Sequence, residues 1–167
     1  MASIIVTDHA SFPHTVNFPD MNYSLEIEIN QPRDVVGELI GDPELRKAWQ
    51  PELLGIEPLT GEPGKEGSTA KIKYRMGKAV LEMKETIVAN RLPDLFISTY
   101  EADKTWNRVE NTFEDTSTGG TKWTFATEFR FSGLMKIMAF LVPGLFRKQS
   151  LKYMKQFKDF AEGGQAT

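Results

Sequence analysis

The chain has 167 residues, enough for one domain and short for two, and is 40% hydrophobic and 26% charged, as in an ordinary globular protein. A net charge of −3 argues against a sequence-independent nucleic-acid binder, which needs a large basic excess to neutralise phosphates. The absence of cysteine excludes disulfides, thiolate metal sites, Fe–S clusters and a cysteine nucleophile, and it fits the reducing environment expected of a cytoplasmic protein.

Residues 1–20 carry both histidines (His9 and His14), two prolines and no sustained period. They read as an N-terminal extension that either adds a short strand at residues 3–7 or is loosely ordered. They lack a basic start followed by a long apolar core, so no secretory signal is expected. The regular pattern begins at Met21. Residues 22–29 alternate strictly, with Tyr23, Leu25, Ile27 and Ile29 on one side and Asn22, Ser24, Glu26 and Glu28 on the other, which predicts a half-buried strand. Pro32 then opens a helix whose apolar face is Val35, Val36, Leu39 and Ile40. Gly41-Asp42-Pro43 leads into a second short helix, residues 44–49, which Pro51 ends.

Strands separated by tight turns follow: residues 54–60, 68–76, 79–90, 95–101, 105–115 and 121–131. In the second of these, Ala70, Ile72, Tyr74 and Met76 share one face and Lys71, Lys73 and Arg75 the other. In the third, Leu81, Met83 and Ile87 point inward and Glu82, Lys84 and Thr86 outward. Joints as short as Gly77-Lys78 allow only antiparallel pairing, since parallel strands need a long crossover. Residues 133–163 are predicted helical, with Phe146, Ser150, Tyr153, Met154, Phe157, Phe160 and Ala161 in one stripe and Lys148, Lys152, Lys155 and Lys158 opposite. Residues 163–167 form a tail.

This order of strand, two short helices, antiparallel strands and one long amphipathic helix resembles the SRPBCC superfamily. That group includes START lipid-transfer domains, birch-pollen-allergen-like proteins and polyketide cyclase/dehydrase-like proteins, the last being the nearest in feel. The resemblance is carried by residues 23–36, Gly41-Asp-Pro-Glu-Leu-Arg-Lys-Ala-Trp49, Gly120-Thr-Lys-Trp-Thr-Phe125 and Leu145-Phe-Arg-Lys-Gln-Ser-Leu151, and it covers residues 21–162. It implies an α+β helix-grip (START-like) fold, a curved antiparallel sheet around the C-terminal helix. It also implies an interior cavity for a hydrophobic small molecule or lipid, used for binding or transport.

On that fold the expected cavity residues are Trp49, Tyr74, Met76, Leu81, Met83, Glu85, Asn111, Phe113, Trp123, Phe125, Phe129, Leu141 and Leu145. Large apolar side chains with a few polar groups are the usual lining of a small-ligand site, although each alone is as readily a core residue. Glu85 stands out as a carboxylate in an inward register. It is a weak candidate for an acid/base or ligand-orienting group; the plainer alternatives are a β-bulge that flips the register, reach to solvent, or pairing with a basic side chain. Asn107, Asn111, Thr99 and Thr127 are further polar residues read as inward. Trp49 suits either a gate or a plug of the core.

From Met21 onward there is no histidine, so a Ser-His-Asp triad and a histidine zinc site are unsupported, and neither metal nor cofactor is expected. Residues 61–67 are glycine-rich but lack the spacing of a phosphate loop. Binding is therefore favoured over a cyclase or dehydratase activity that would rest on Glu85. The apolar run at residues 134–146 is shorter than the roughly 20 residues a spanning helix needs. It reads as buried over the cavity, with docking to a membrane surface or a partner as the other reading. Ligand identity and oligomeric state are not legible.

Overall fold

The computed structural model describes residues 6–7, 21–133 and 143–163. The strands are β1 (Val6–Thr7), β2 (Met21–Ile29), β3 (Leu53–Thr60), β4 (Thr69–Met76), β5 (Ala79–Arg91), β6 (Leu95–Ala102), β7 (Thr105–Asp115) and β8 (Thr121–Phe131). Two short helices, α1 (Arg33–Gly41) and α2 (Arg46–Trp49), follow β2, and α3 (Pro143–Ala161) closes the chain. The strands form one antiparallel sheet in the order β1-β2-β8-β7-β6-β5-β4-β3. Among the described residues, β1, paired to Leu25 and Ser24 of β2, comes from the N-terminal extension.

The sheet is built from hairpins whose turns suit their residues. Met76 pairs with Ala79 across Gly77-Lys78, and Gly77 supplies the positive φ of 62° that the turn requires. Register shifts at Leu53/Gly55, Pro58/Thr60 and Ile87/Ala89 are bulges, which bend and twist the strands that carry them. The outer face of β3, β4, β5 and β6 carries cross-strand pairs such as Lys71 with Glu57, Lys73 with Glu82 and Lys84 with Glu101. These exposed pairs add little stability each, but they mark which face meets water.

On the concave side α3 lies over β2 and against α1 and α2. Its predicted stripe is the buried one: Ser150, Met154, Phe157 and Ala161 are buried and Phe146, Tyr153 and Phe160 partly so. Tyr23 of β2 hydrogen-bonds Ser150 at 2.9 Å, tying the first strand to the last helix. Phe157 meets Trp49 and Trp123 edge-on at 5.0 and 5.4 Å, making the dry centre of the fold with Leu25, Ile27, Val36 and Phe113. α1 is pinned down by close contact: a Cβ on Gly37 would stand 2.8 Å from that of Pro93. Arg33 adds ion pairs to Asp94 and Asp115.

The last helix is described from Pro143 onward. The apolar run at 134–142, with the expected cavity residue Leu141, lies outside the described residues.

Candidate functional site

Cross-strand partners share a face, so the pairing identifies every inward side chain. From β2 through β8 and β7 these include Tyr23, Leu25 and Ile27, then Thr127, Phe125 and Trp123, then Val109, Asn111 and Phe113. The inward series continues with Phe96, Ser98 and Tyr100 on β6, Leu81, Met83, Glu85 and Ile87 on β5, and Ala70, Ile72 and Tyr74 on β4.

Glu85 is buried in the middle of this face, and it is not alone. Arg46, projecting from α2, donates from Nη1 to both carboxylate oxygens at 2.8 and 3.0 Å. Its Nη2 donates to the Tyr74 hydroxyl at 3.1 Å and its Nε to Gln50 Oε1 at 3.2 Å. The Tyr74 hydroxyl in turn donates to Gln50 Oε1, closing a ring of hydrogen bonds. Directly across from Glu85 on β6 is Tyr100, whose hydroxyl accepts from Ser98 Oγ at 3.0 Å. Apolar side chains wall this cluster: Leu53, Ile56, Ile72 and Met83. Tyr153 of α3 comes within 6.2 Å of the Tyr74 ring.

Burial and charge set the protonation states. Burial opposes the Arg46 charge, but Glu85 and the neighbouring tyrosine oxygens outweigh it and hold the guanidinium pKa well above its usual value. Burial raises the Tyr74 pKa, with Arg46 pulling the other way. Tyr100 is raised as well, by burial first and then by the Glu85 carboxylate. Tyr153 is pushed up to about 12, chiefly by burial. With their pKa values raised, the three tyrosines keep their protons at neutral pH and surround the Arg46–Glu85 salt bridge with neutral hydroxyl groups.

The inward polar groups of β7 and β8 behave differently, each being satisfied within the sheet. Asn111 donates to the Phe96 carbonyl and accepts from Trp123 Nε1. Asn107 donates to Thr127 Oγ1 and the Glu128 carbonyl, and Thr127 donates to the Arg108 carbonyl. Phe125, on β8 between Leu25 of β2 and Asn111 of β7, also faces inward. It keeps accessible surface although Trp123 and Thr127, the next inward residues on either side, are only 3% and 0% exposed. Phe129, Phe96, Tyr100, Met83 and Leu81 are likewise only partly buried.

Among the expected cavity residues, Tyr74, Glu85, Asn111, Phe113 and Trp123 are buried on the concave side. Leu81, Met83, Phe125 and Phe129 are partly buried there. Trp49 is a plug, sealed under Phe157, and its buried Nε1 lacks a hydrogen-bond partner among the described residues. Met76 is 50% exposed, because the hairpin tip carries it past the end of the covered face. Leu145 is 63% exposed: it lies in the first turn of α3, off the stripe that begins with Phe146. Phe146 instead packs on Phe129 and Phe131 at 5.1 and 5.3 Å. Thr99 faces outward, paired with Thr86 and Arg108.

Sequence reasoning missed Arg46, Gln50, Ser98 and Tyr100. Arg46 and Gln50 stand four apart, a spacing that puts two side chains on one helix side. Tyr100 follows from the turn at residues 102–105, which sets it opposite the inward Asn107. Two open depressions among the described residues, one near Trp106 and Arg130 and one near Leu59 and Lys71, contain none of the Arg46 cluster.

Neither a protein-family model nor a curated protein matches this chain. Solved structures do. The Zhui aromatase/cyclase from Streptomyces sp. R1128 superposes with a TM-score of 0.71 at 12% identity, over 86% of this chain and 94% of that one. Ara h 8.0201 gives 0.70 at 16% identity, over 87% and 99%. Truncated norcoclaurine synthase from Thalictrum flavum gives 0.68 at 14% identity, over 89% and 97%. At such identities the likeness is one of fold: this chain has the helix-grip fold that its sequence resembles.

Proposed function

We propose that this helix-grip chain binds a hydrophobic small molecule or lipid between its concave sheet face and α3. The observation that carries this reading is Phe125, a large apolar side chain that faces inward from a central strand and yet remains accessible. An inward residue with accessible surface borders interior space. The concave face that Phe125 shares is largely apolar and carries a polar cluster on β4, β5 and β6, a composition that suits a small-ligand site. A fold shared with a cyclase and a synthase agrees with a small-molecule partner. Binding is preferred to acid–base chemistry because Glu85 is held by two hydrogen bonds from Arg46 and does not stand free.

Native mass spectrometry of the purified chain, with titration of the neutral apolar dye Nile red, tests the proposal. The expected result is a co-purifying adduct or saturable dye binding. Phe125→Trp, which fills the space, lowers dye affinity about tenfold while the unfolding midpoint holds or rises. A bare mass from more than one expression host, together with no saturable dye binding, refutes the proposal.

A further inference from the structure

The cluster at the β4–β6 end has hydrogen-bonding capacity that its own members leave unengaged, and that capacity is mainly of one sign. Arg46 has five N–H groups: one on Nη1 is shared by the two Glu85 oxygens, one on Nη2 meets Tyr74 and that on Nε meets Gln50, leaving one on Nη1 and one on Nη2 without a partner among the described residues. Gln50 uses only its carbonyl oxygen, so its amide N–H groups remain available among the described residues. The Tyr100 hydroxyl accepts from Ser98, and among the described residues its own proton has no acceptor. The polar groups of β7 and β8 offer no comparable set, because they bond to one another and to strand carbonyls. A ligand reaching this end meets donors.

The charge there is already balanced. Glu85 neutralises Arg46 across two short hydrogen bonds, with side chains only 8% and 16% exposed. An incoming carboxylate would place a second anion beside Glu85 and leave one buried negative charge uncompensated, which a low-dielectric interior penalises heavily. A neutral carbonyl, ester or ether oxygen would accept a hydrogen bond from Tyr100 or Arg46 and add no charge. We infer that the interior selects neutral hydrophobic ligands bearing an acceptor oxygen, which Tyr100 and Arg46 bind, and that Glu85 excludes carboxylate-headed lipids. This specificity rests on the binding function proposed above.

The test is Nile red displacement by a matched pair, methyl dodecanoate and dodecanoate, with dodecane as the hydrocarbon reference. In the unaltered protein the ester displaces the dye at a concentration lower than the carboxylate by about tenfold or more. Glu85→Gln removes the repelling anion and frees the Arg46 charge, so the preference narrows or inverts toward dodecanoate. Tyr100→Phe weakens the ester several-fold and leaves dodecane unchanged, and it serves where Glu85→Gln does not fold. Equal displacement by the two, or a preference for dodecanoate in the unaltered protein, overturns the inference and leaves hydrophobic binding standing. Absence of dye binding altogether instead removes the binding function on which it rests.

Discussion

The β2–β8–β7 half of the concave face and the β4–β5–β6 half are covered by different partners. In the first, α3 lies directly on the strands and packs Phe157, Met154 and Phe146 against them, leaving Phe125 of β8 partly accessible, while inward amides are satisfied by neighbouring strands. In the second, a four-residue helix reaches down with Arg46 and Gln50, and a charged pair takes the place of apolar packing. The contrast teaches that one continuous sheet can host both a rigid core and a polar, incompletely closed site. Shape alone does not separate them; what covers each half does.

The comparison can be broken most severely at its packed half. Phe157 is fully buried between two tryptophans, so Phe157→Ala is expected to cost about 4 kcal/mol, read by denaturant unfolding. In the polar half, Arg46→Ala strands the Glu85 carboxylate and is expected to cost about 3 kcal/mol. Replacing the pair together, Arg46→Met with Glu85→Leu, should cost clearly less than the single change. A double variant as unstable as Arg46→Ala would mean that the pair does not behave as a unit.

Alkaline titration sharpens the contrast further. Burial pushes Tyr23 up to about 12 against an unfolded value of 10.0, with Ser150 and Arg147 acting the other way. Between those values the unfolded chain has lost a proton that the folded chain keeps, so the stabilisation present below pH 10 is lost as pH rises toward 12. The loss is on the order of 2 kcal/mol, and Tyr23→Phe should flatten that part of the stability profile. The smallest effect is at Leu145, exposed on the first turn of α3, where Leu145→Ser should change stability by less than about 0.5 kcal/mol. A loss as large as that of Phe157→Ala would place Leu145 in the core after all.

Much of the fold was legible because strand and helix periods report directly on which side of an element meets water. The alternation in residues 22–29 and 68–76 and the stripe from Phe146 to Ala161 each name the buried face without reference to any other element. The candidate site was legible only in part. Glu85 was visible as a carboxylate out of place, but its partner lies thirty-nine residues earlier on a helix too short to show a period. Tyr100 was hidden by placing Thr99 inward on β6, a one-residue difference that moves every side chain of a strand to the other face.

The order of elements, the antiparallel pairing and the inward faces of most strands were therefore determined by the sequence alone, through local rules of period and turn geometry. Only the tertiary structure decided that Glu85 is paired, that Trp49 is a plug, and that Met76 and Leu145 lie outside the interior. Each of those outcomes depends on what a distant element brings to within a few ångströms. Burial and ion pairing are properties of such contacts, and no local pattern encodes them.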